Sequence, residues 1–487
     1  MTKGRLFNKA KNTGAIVAMM LFATLLLGAC GNDATSTSAP ATTAAAAATT
    51  AASAATTAAA ATTAAGGTAT TAAAATTAAA TSGPVNLVIW TEGATLGNVD
   101  TDPTGKGKYG VYLKQQFEKE HPGVTVTMEN HGWDEELRQN LLTALMAGNG
   151  PDIVVGENFF QQYAELGALA PLDDVIADVK PNAVPGTYKA AEYNGKIYGL
   201  SAFTGTFGFE RNCVVYKAAG QDCANPPKTW DDLLKVAQAI TDKGAGSKFG
   251  YTLQGPAGFS VGAVFRIAVY LGQAGASLCN ADCTYPTFND PKGIPVYEFI
   301  RKLNKLAPPG LAFNPDESAV YSELFKGNSA NQLAGSWHVT WAKDSNCGDC
   351  QYSPIPLPAG GKPYSVIVGN VQYAVLKQSK NVDIAKQWVK FTQRDDVQDL
   401  VFPNIGRLPS TKTALTKLRP NVDPATQSFI DTLLNSDLGV LPQWRKDPQK
   451  IWTAYNDMLT KILTTDDPIK NILDDAQAQV EKLVPKS

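Results

Sequence analysis

The chain has 487 residues, 44% hydrophobic and 18% charged, enough length for a large buried core and for two or three domains. Its formal net charge is −2, and the first 29 residues carry four cations (Lys3, Arg5, Lys9, Lys11) and no acid, so the remainder is more acidic still. A mildly acidic body without basic runs gives no electrostatic footprint for nucleic acid, which is excluded as the expected partner.

In chain order, the basic start leads into an uncharged apolar stretch from Ala15 to Ala29. It is short for a spanning helix, which needs about 20 apolar residues, and suits a signal-peptide core over residues 1–29. The stretch ends in Leu27-Gly28-Ala29-Cys30, which resembles the lipobox of bacterial lipoproteins: an apolar residue, two small ones, then the cysteine that receives lipid. Acyl chains on Cys30 would hold the body at a membrane surface. The alternative is an ordinary signal anchor with an incidental cysteine. From Ala34 to Thr81 the chain is almost wholly Ala and Thr. Without charge, aromatics or large aliphatics it cannot bury enough surface to offset its ordering entropy, so residues 30–84 are expected to be a disordered tether. A flexible coil of roughly 50 residues spans about 40 Å.

The folded body starts at Val85–Trp90, a β-branched apolar run that predicts a buried strand. Tyr109–His121 has amphipathic helical spacing stopped by Pro122-Gly123. Val124–Met128 alternates as a strand, Trp133–Met146 is a helix, and Ile153–Val155 is another buried strand. That alternation predicts an α/β layered fold. Further on, Trp230–Lys243 reads as a helix with Thr229 as its N-cap, Val261–Leu271 as a more apolar helix, Tyr364–Leu376 as extended chain and Val382–Arg394 as a helix. Residues from Pro424 to Val484 read as several helices separated by prolines.

Setting Cys30 aside leaves six cysteines in close pairs: Cys213 and Cys223, Cys279 and Cys283, Cys347 and Cys350. An even remainder in an exported chain predicts three local disulfides, nearest-neighbour pairing being preferred among fifteen connectivities. Cys347-Gly-Asp-Cys350 also matches a C-x-x-C redox motif or half a zinc site. No second such motif exists, and the histidines are His121, His131 and His338, so a structural clip is favoured and no metal or cofactor is expected.

Nine fragments in sequence order resemble the family 1 extracellular solute-binding proteins, which include the maltodextrin-binding receptors of ABC sugar importers. They are Asn86–Trp90, Gln115–Val126 (QQFEKEHPGVTV), Gly150–Val154 with Glu165–Asp173, Tyr193–Leu200, Pro226–Asp232, Gly335-Ser-Trp337, Pro356–Gly360, Ile384–Val389 and Gly406–Pro409. The resemblance covers residues 85–487. It implies a two-lobed periplasmic-binding-protein-like α/β fold with about three crossovers, placed near Thr204, Val366 and Arg407. Lobe one is then 85–203 plus 366–405 and lobe two 204–365 plus 406–487, with the ligand in the cleft and hinge closure as the signal. It further implies a monomer that captures a carbohydrate and passes it to permease subunits.

A sugar offers apolar C–H faces and a ring of hydroxyls, so its receptor needs aromatic plates and planar polar groups. Trp337 matches the family's sugar-stacking tryptophan, with core packing as the alternative. Trp341 is the helix-spaced substitute, and Trp90 ends the first strand where the cleft should open. Glu157 and Asn158 follow a strand's carboxyl end, where ligands of open α/β sheets bind, though a solvated loop reads equally well. Thr204 stands where maltodextrin-binding relatives carry an acid. Gly369-Asn370 matches a glycine-rich ligand loop, Phe259 the region of another stacking aromatic, and Glu92 is a possible hydroxyl acceptor. Arg407 is a cleft-edge candidate, with a surface ion pair as the alternative. Neutral Thr204 and Asn370 beside several tryptophans favour an uncharged ligand over a polyamine, amino acid or phosphate ester.

An extracellular glycosidase would need two carboxyl groups about 5–10 Å apart. Asp134-Glu135-Glu136 and Asp231-Asp232 instead fall in first helical turns, where the helix dipole explains them. No G-x-S-x-G or H-E-x-x-H motif is present, so no enzyme is expected.

Overall fold

The β-branched runs near the start of the body form the strands Val85–Thr91 (β1), Val124–Asn130 (β2) and Ile153–Gly156 (β3). β1 pairs in parallel with both β2 and β3. Parallel neighbours need crossover connections, and the helices Lys108–Glu120 and Glu135–Ala147 supply them. The computed structural model describes residues 83–93, 96, 108–132, 135–157, 159–256, 262–281, 285–442 and 448–484. The expected export segment, Cys30, the Ala/Thr stretch, Asn158, Phe259 and Cys283 lie outside the described residues.

Asn194-Gly195, both with positive φ (49° and 72°), turn the short hairpin of Glu192–Tyr193 (β4) and Lys196–Ile197 (β5). The chain then enters Leu200–Asn212 (β6), a strand of 13 residues, every one of them buried. Asn331–Gly335 (β7), Cys350–Ser353 (β8) and Tyr364–Val375 (β9) all run antiparallel to β6. β9 also lies antiparallel to β3, and the short strand Asp437–Gly439 (β10), not foreseen among the C-terminal helices, pairs in parallel with β9. One sheet results, in the order β2-β1-β3-β9-β6-β7, with β8 on β6 and β10 on β9.

Two large apolar cores cover this sheet. The first gathers Leu87, Ile89, Phe117, Ile153, Phe203, Tyr373 and Trp388. The second gathers Phe207, Phe209, Trp230, Leu271, Ile300, Leu333, Tyr455 and Leu473. β6 passes from the first core to the second between Phe203 and Phe207. β9 makes the opposite passage between Val368, which packs in the second core, and Val371, which packs in the first. Two long strands therefore belong to both cores.

Helix signals read from the sequence hold locally. Thr229 Oγ1 accepts from the Asp232 N–H at 3.1 Å and caps Trp230–Gly244. The C-terminal helices are Pro424–Asn435, Pro448–Thr464 and Ile469–Leu483. Among the described residues no helix is long and apolar enough to cross a membrane. Disulfides join Cys213 to Cys223 and Cys347 to Cys350, and Cys279 is also disulfide-bonded. Closing loops of 10 and 3 residues contributes about 3 and about 2 kcal/mol on the chain-entropy account, so the C-x-x-C pair is a clip.

Candidate functional site

Where β6 and β9 change cores, three stretches of chain lie side by side. Gly205 and Thr206 pair with Val368 and Ile367, with register shifts between Ser201, Phe203 and Gly205. Thr204 bridges Leu408, its N–H donating to the Leu408 carbonyl at 2.9 Å. β7 ends here too, the Ser336 N–H donating to the Thr206 carbonyl at 3.2 Å. The next residue is Trp337.

The indole of Trp337 lies on a bed of glycines. A Cβ added at Gly335 would stand 2.3 Å from its ring, one at Gly369 3.2 Å and one at Gly205 3.7 Å. A side chain at Gly335 or Gly369 would press on the ring, whereas one at Gly205 would meet Ser336 Oγ at 2.7 Å and the Val368 carbonyl at 2.9 Å, so close packing explains the glycine on each of the three strands. Gly369 also adopts φ +59°, a conformation that L side chains disfavour. Trp337 packs only partly into the second core, which leaves part of the ring accessible. Trp341 is 37% exposed and meets Trp337 edge-on, centroids 6.4 Å apart.

Arg407 completes the cluster. Its guanidinium carbon sits 5.5 Å from the Trp337 ring centre and 6.0 Å from that of Phe203, within cation–π range of both. Burial lowers its pKa below the usual arginine value, opposed by the negative charge of Glu157. The surface ion pair weighed for Arg407 is not found: among the described residues no carboxylate lies within ion-pair distance and its N–H groups make no hydrogen bond. Glu157 is half-buried just beyond β3, and Glu92, fully buried, lies just beyond β1 with its N–H donating to the Val155 carbonyl at 2.9 Å. Both carboxylates thus stand at the carboxyl edge of adjacent parallel strands.

Other candidates sit differently. Trp90 stacks on His131 at 3.6 Å with an interplanar angle of 16°, so one of its faces is taken within the protein. Thr204 is 1% exposed, inside the crossing, and its Oγ1 has no partner. Asn370 is 5% exposed, and its Nδ2 donates to the Thr187 carbonyl at 2.8 Å, as Gln372 Nε2 does at 2.7 Å. The amide of Asn370 therefore pins β9 to the helix Pro185–Lys189. Phe203, the aromatic beneath Arg407, was missed by sequence reasoning; its signal was an aromatic directly beside the singled-out Thr204. Among the described residues no cluster of His, Cys, Asp and Glu fits a metal ion. A separate cavity of about 890 Å³, lined by Lys189, Asn194, Leu271, Asn280 and Tyr364 among others, includes none of the candidate ligand-binding residues.

A sheet shared by two cores, with an aromatic ring, a guanidinium and the Glu157 charge near the crossing, fits the architecture of a periplasmic-binding-protein fold. Solved structures agree. The sugar-binding protein MalE from Xanthomonas citri matches with a TM-score of 0.69 at 20% identity, covering 82% of this chain and 97% of that one. The cyclic alpha-maltosyl-1,6-maltose binding protein from Arthrobacter globiformis gives 0.68 at 21%, covering 82% and 99%. In sequence, the diacetylchitobiose binding protein DasA of Streptomyces coelicolor is 24% identical over 368 residues, 73% of this chain and 81% of that protein. The chain belongs to the bacterial extracellular solute-binding protein family, whose model matches residues 100–399. It is a binding protein and not an enzyme.

Proposed function

We propose that this chain captures an oligosaccharide in the cleft beside Trp337 and hands it to the permease of an ABC importer by hinge closure. The observation that carries this reading is the half-open Trp337 plate with Arg407 beside it. An indole face packs on the C–H surface of a pyranose, while a guanidinium whose N–H groups are uncommitted among the described residues can donate to ring hydroxyls. Glu157, half-buried beyond β3 and close enough for its charge to act on Arg407, would accept from a hydroxyl. Arg407 and Glu157 offset one another in charge, which suits a neutral solute better than a phosphate ester or a polyamine. The sugar ligands in the names of DasA and of the two structural neighbours support the same class.

The test is a thermal melt and tryptophan-fluorescence titration of the full chain against maltotriose, mannotriose, diacetylchitobiose and an arabinotriose, with glycerol 3-phosphate and spermidine as controls. A sugar present at 100 times its dissociation constant should add about 2.7 kcal/mol to stability. A saturable response to one sugar alone supports the proposal. A response confined to either control removes the carbohydrate assignment and keeps the fold.

We also propose that lipid on Cys30 tethers the protein to the membrane. Cys30→Ala is expected to move the protein from the membrane fraction to the soluble fraction of a bacterial host. Unchanged membrane association would count against lipidation.

A further inference from the structure

Glu210 is the one acid in β6, and its carboxylate is fully buried. The sheet register sets it opposite Gln332 on β7 and Tyr352 on β8, and both neighbours donate to it. Gln332 Nε2 reaches Oε2 at 2.7 Å, and the Tyr352 hydroxyl makes a short bond to Oε1. Burial first, and then the Glu210 charge, push the Tyr352 phenol far above its ordinary range, so its proton stays on the hydroxyl. The third partner comes from outside the sheet: His338 Nδ1 lies 3.1 Å from Oε2, and it donates in the tautomer that carries its proton on Nδ1. In that tautomer the carboxylate has three donors, which its burial requires.

That imidazole is itself fully buried and is the hub of the aromatic wall. Trp341 stacks on it at 5.3 Å and 26°, Trp337 meets it at 5.9 Å and 63°, and Tyr321 and Phe325 close around it at 4.5 and 5.8 Å. The helix it opens, His338–Asp344, has seven residues and no side-chain hydrogen bond at its N-cap, which is Trp337. The far end is tied by Lys343 to Asp423 at 3.0 Å. At the tryptophan end, His338 Nδ1 makes the polar side-chain contacts, to Glu210 Oε2 at 3.1 Å and, more loosely, to Gln332 Nε2 at 3.4 Å.

We propose that Glu210 and His338 are positioning residues: the carboxylate holds the imidazole, and the imidazole sets the angle between Trp337 and Trp341. Neither touches solute. The effect on binding rests on the sugar-cleft reading above, whereas the effect on tryptophan geometry does not. In the full chain, His338→Phe keeps a flat ring and removes the donor. Near-ultraviolet circular dichroism without sugar reports the tryptophan pair, whose contribution a Trp341→Phe control identifies. His338→Phe is expected to change that signal and to weaken the panel sugar giving the largest wild-type response by about tenfold. In a Glu210→Gln background the same substitution should cost threefold or less, because the tie is already broken. An unchanged tryptophan signal, or additive losses in this double-mutant cycle, overturns the proposal. If His338→Phe fails to fold, Tyr352→Phe removes the far donor from Glu210 and touches neither tryptophan. It must shift the sugar-free signal, and no shift is equally fatal. If no panel sugar binds, the carbohydrate assignment fails on its own while the dichroism still decides the positioning role.

Discussion

Trp337→Ala is expected to weaken sugar binding by about a hundredfold or more while leaving the chain folded. Buried or half-buried tryptophans at recognition sites carry about 2–4 kcal/mol, and each 1.4 kcal/mol is a factor of ten in affinity. Here the loss is doubled in kind, because on the proposed reading the ring would be the plate for the sugar and it is also one wall of the Arg407 slot. With the wall gone, the guanidinium gains rotamers that must be frozen again on binding. Trp337→Phe keeps a smaller plate on the same bed and should lose about tenfold. Isothermal titration with the responsive sugar measures both, and melting without sugar checks the fold. Wild-type affinity in a folded Trp337→Ala protein would remove Trp337 from the site.

Gly369→Val should be nearly as damaging, by another route. Its φ of +59° costs a β-branched residue about 1–2 kcal/mol or more, and the new Cβ would press on the Trp337 ring from 3.2 Å. Stability should fall by about 2 kcal/mol and affinity by at least tenfold. Gly195→Ala separates the two causes. Gly195 has φ +72° with nothing within 4 Å of an added Cβ, so it carries the strain without the clash. That variant should melt lower and bind normally. Equal affinity losses at both positions would mean that destabilisation, not displacement of Trp337, is being measured.

The elements of the body were largely legible, because period and punctuation act locally. β1 to β3, the helices between them and the Thr229 cap all follow from residues within a few positions of one another. Close cysteine pairs were legible for the same reason: short loops close easily. What depends on register across long separations was hidden. That one strand of 13 residues serves two cores is not written in its composition, which reads as a uniform buried run. Asn370 looked like a ligand contact from its glycine-rich context, yet its Nδ2 donates to Thr187, 183 residues away, while its Oδ1 has no partner. Glu210 did carry a signal, a lone acid inside an apolar strand, but its three side-chain partners come from elements that only the folded chain brings together. Trp337 was singled out through family likeness, and the structure sets it partly exposed beside Arg407. The slot that Arg407 makes against it was not legible, since it needs the crossing of three chain segments.

The pairing of β3 with β9 has a consequence for biosynthesis. Asp152, at the head of β3, accepts from Ser379 Oγ at 2.5 Å, a partner 227 residues further along. At 5–20 residues per second a ribosome needs about 10–45 s to supply that stretch. Until then β3 presents a bare edge, and the first core lacks Tyr373, Trp388 and Val389. The N-terminal half therefore lacks these contacts while it emerges on the nascent chain. For a protein of an extracellular family, whose chain has to cross a membrane, this wiring keeps the last sheet pairings from forming until late in synthesis.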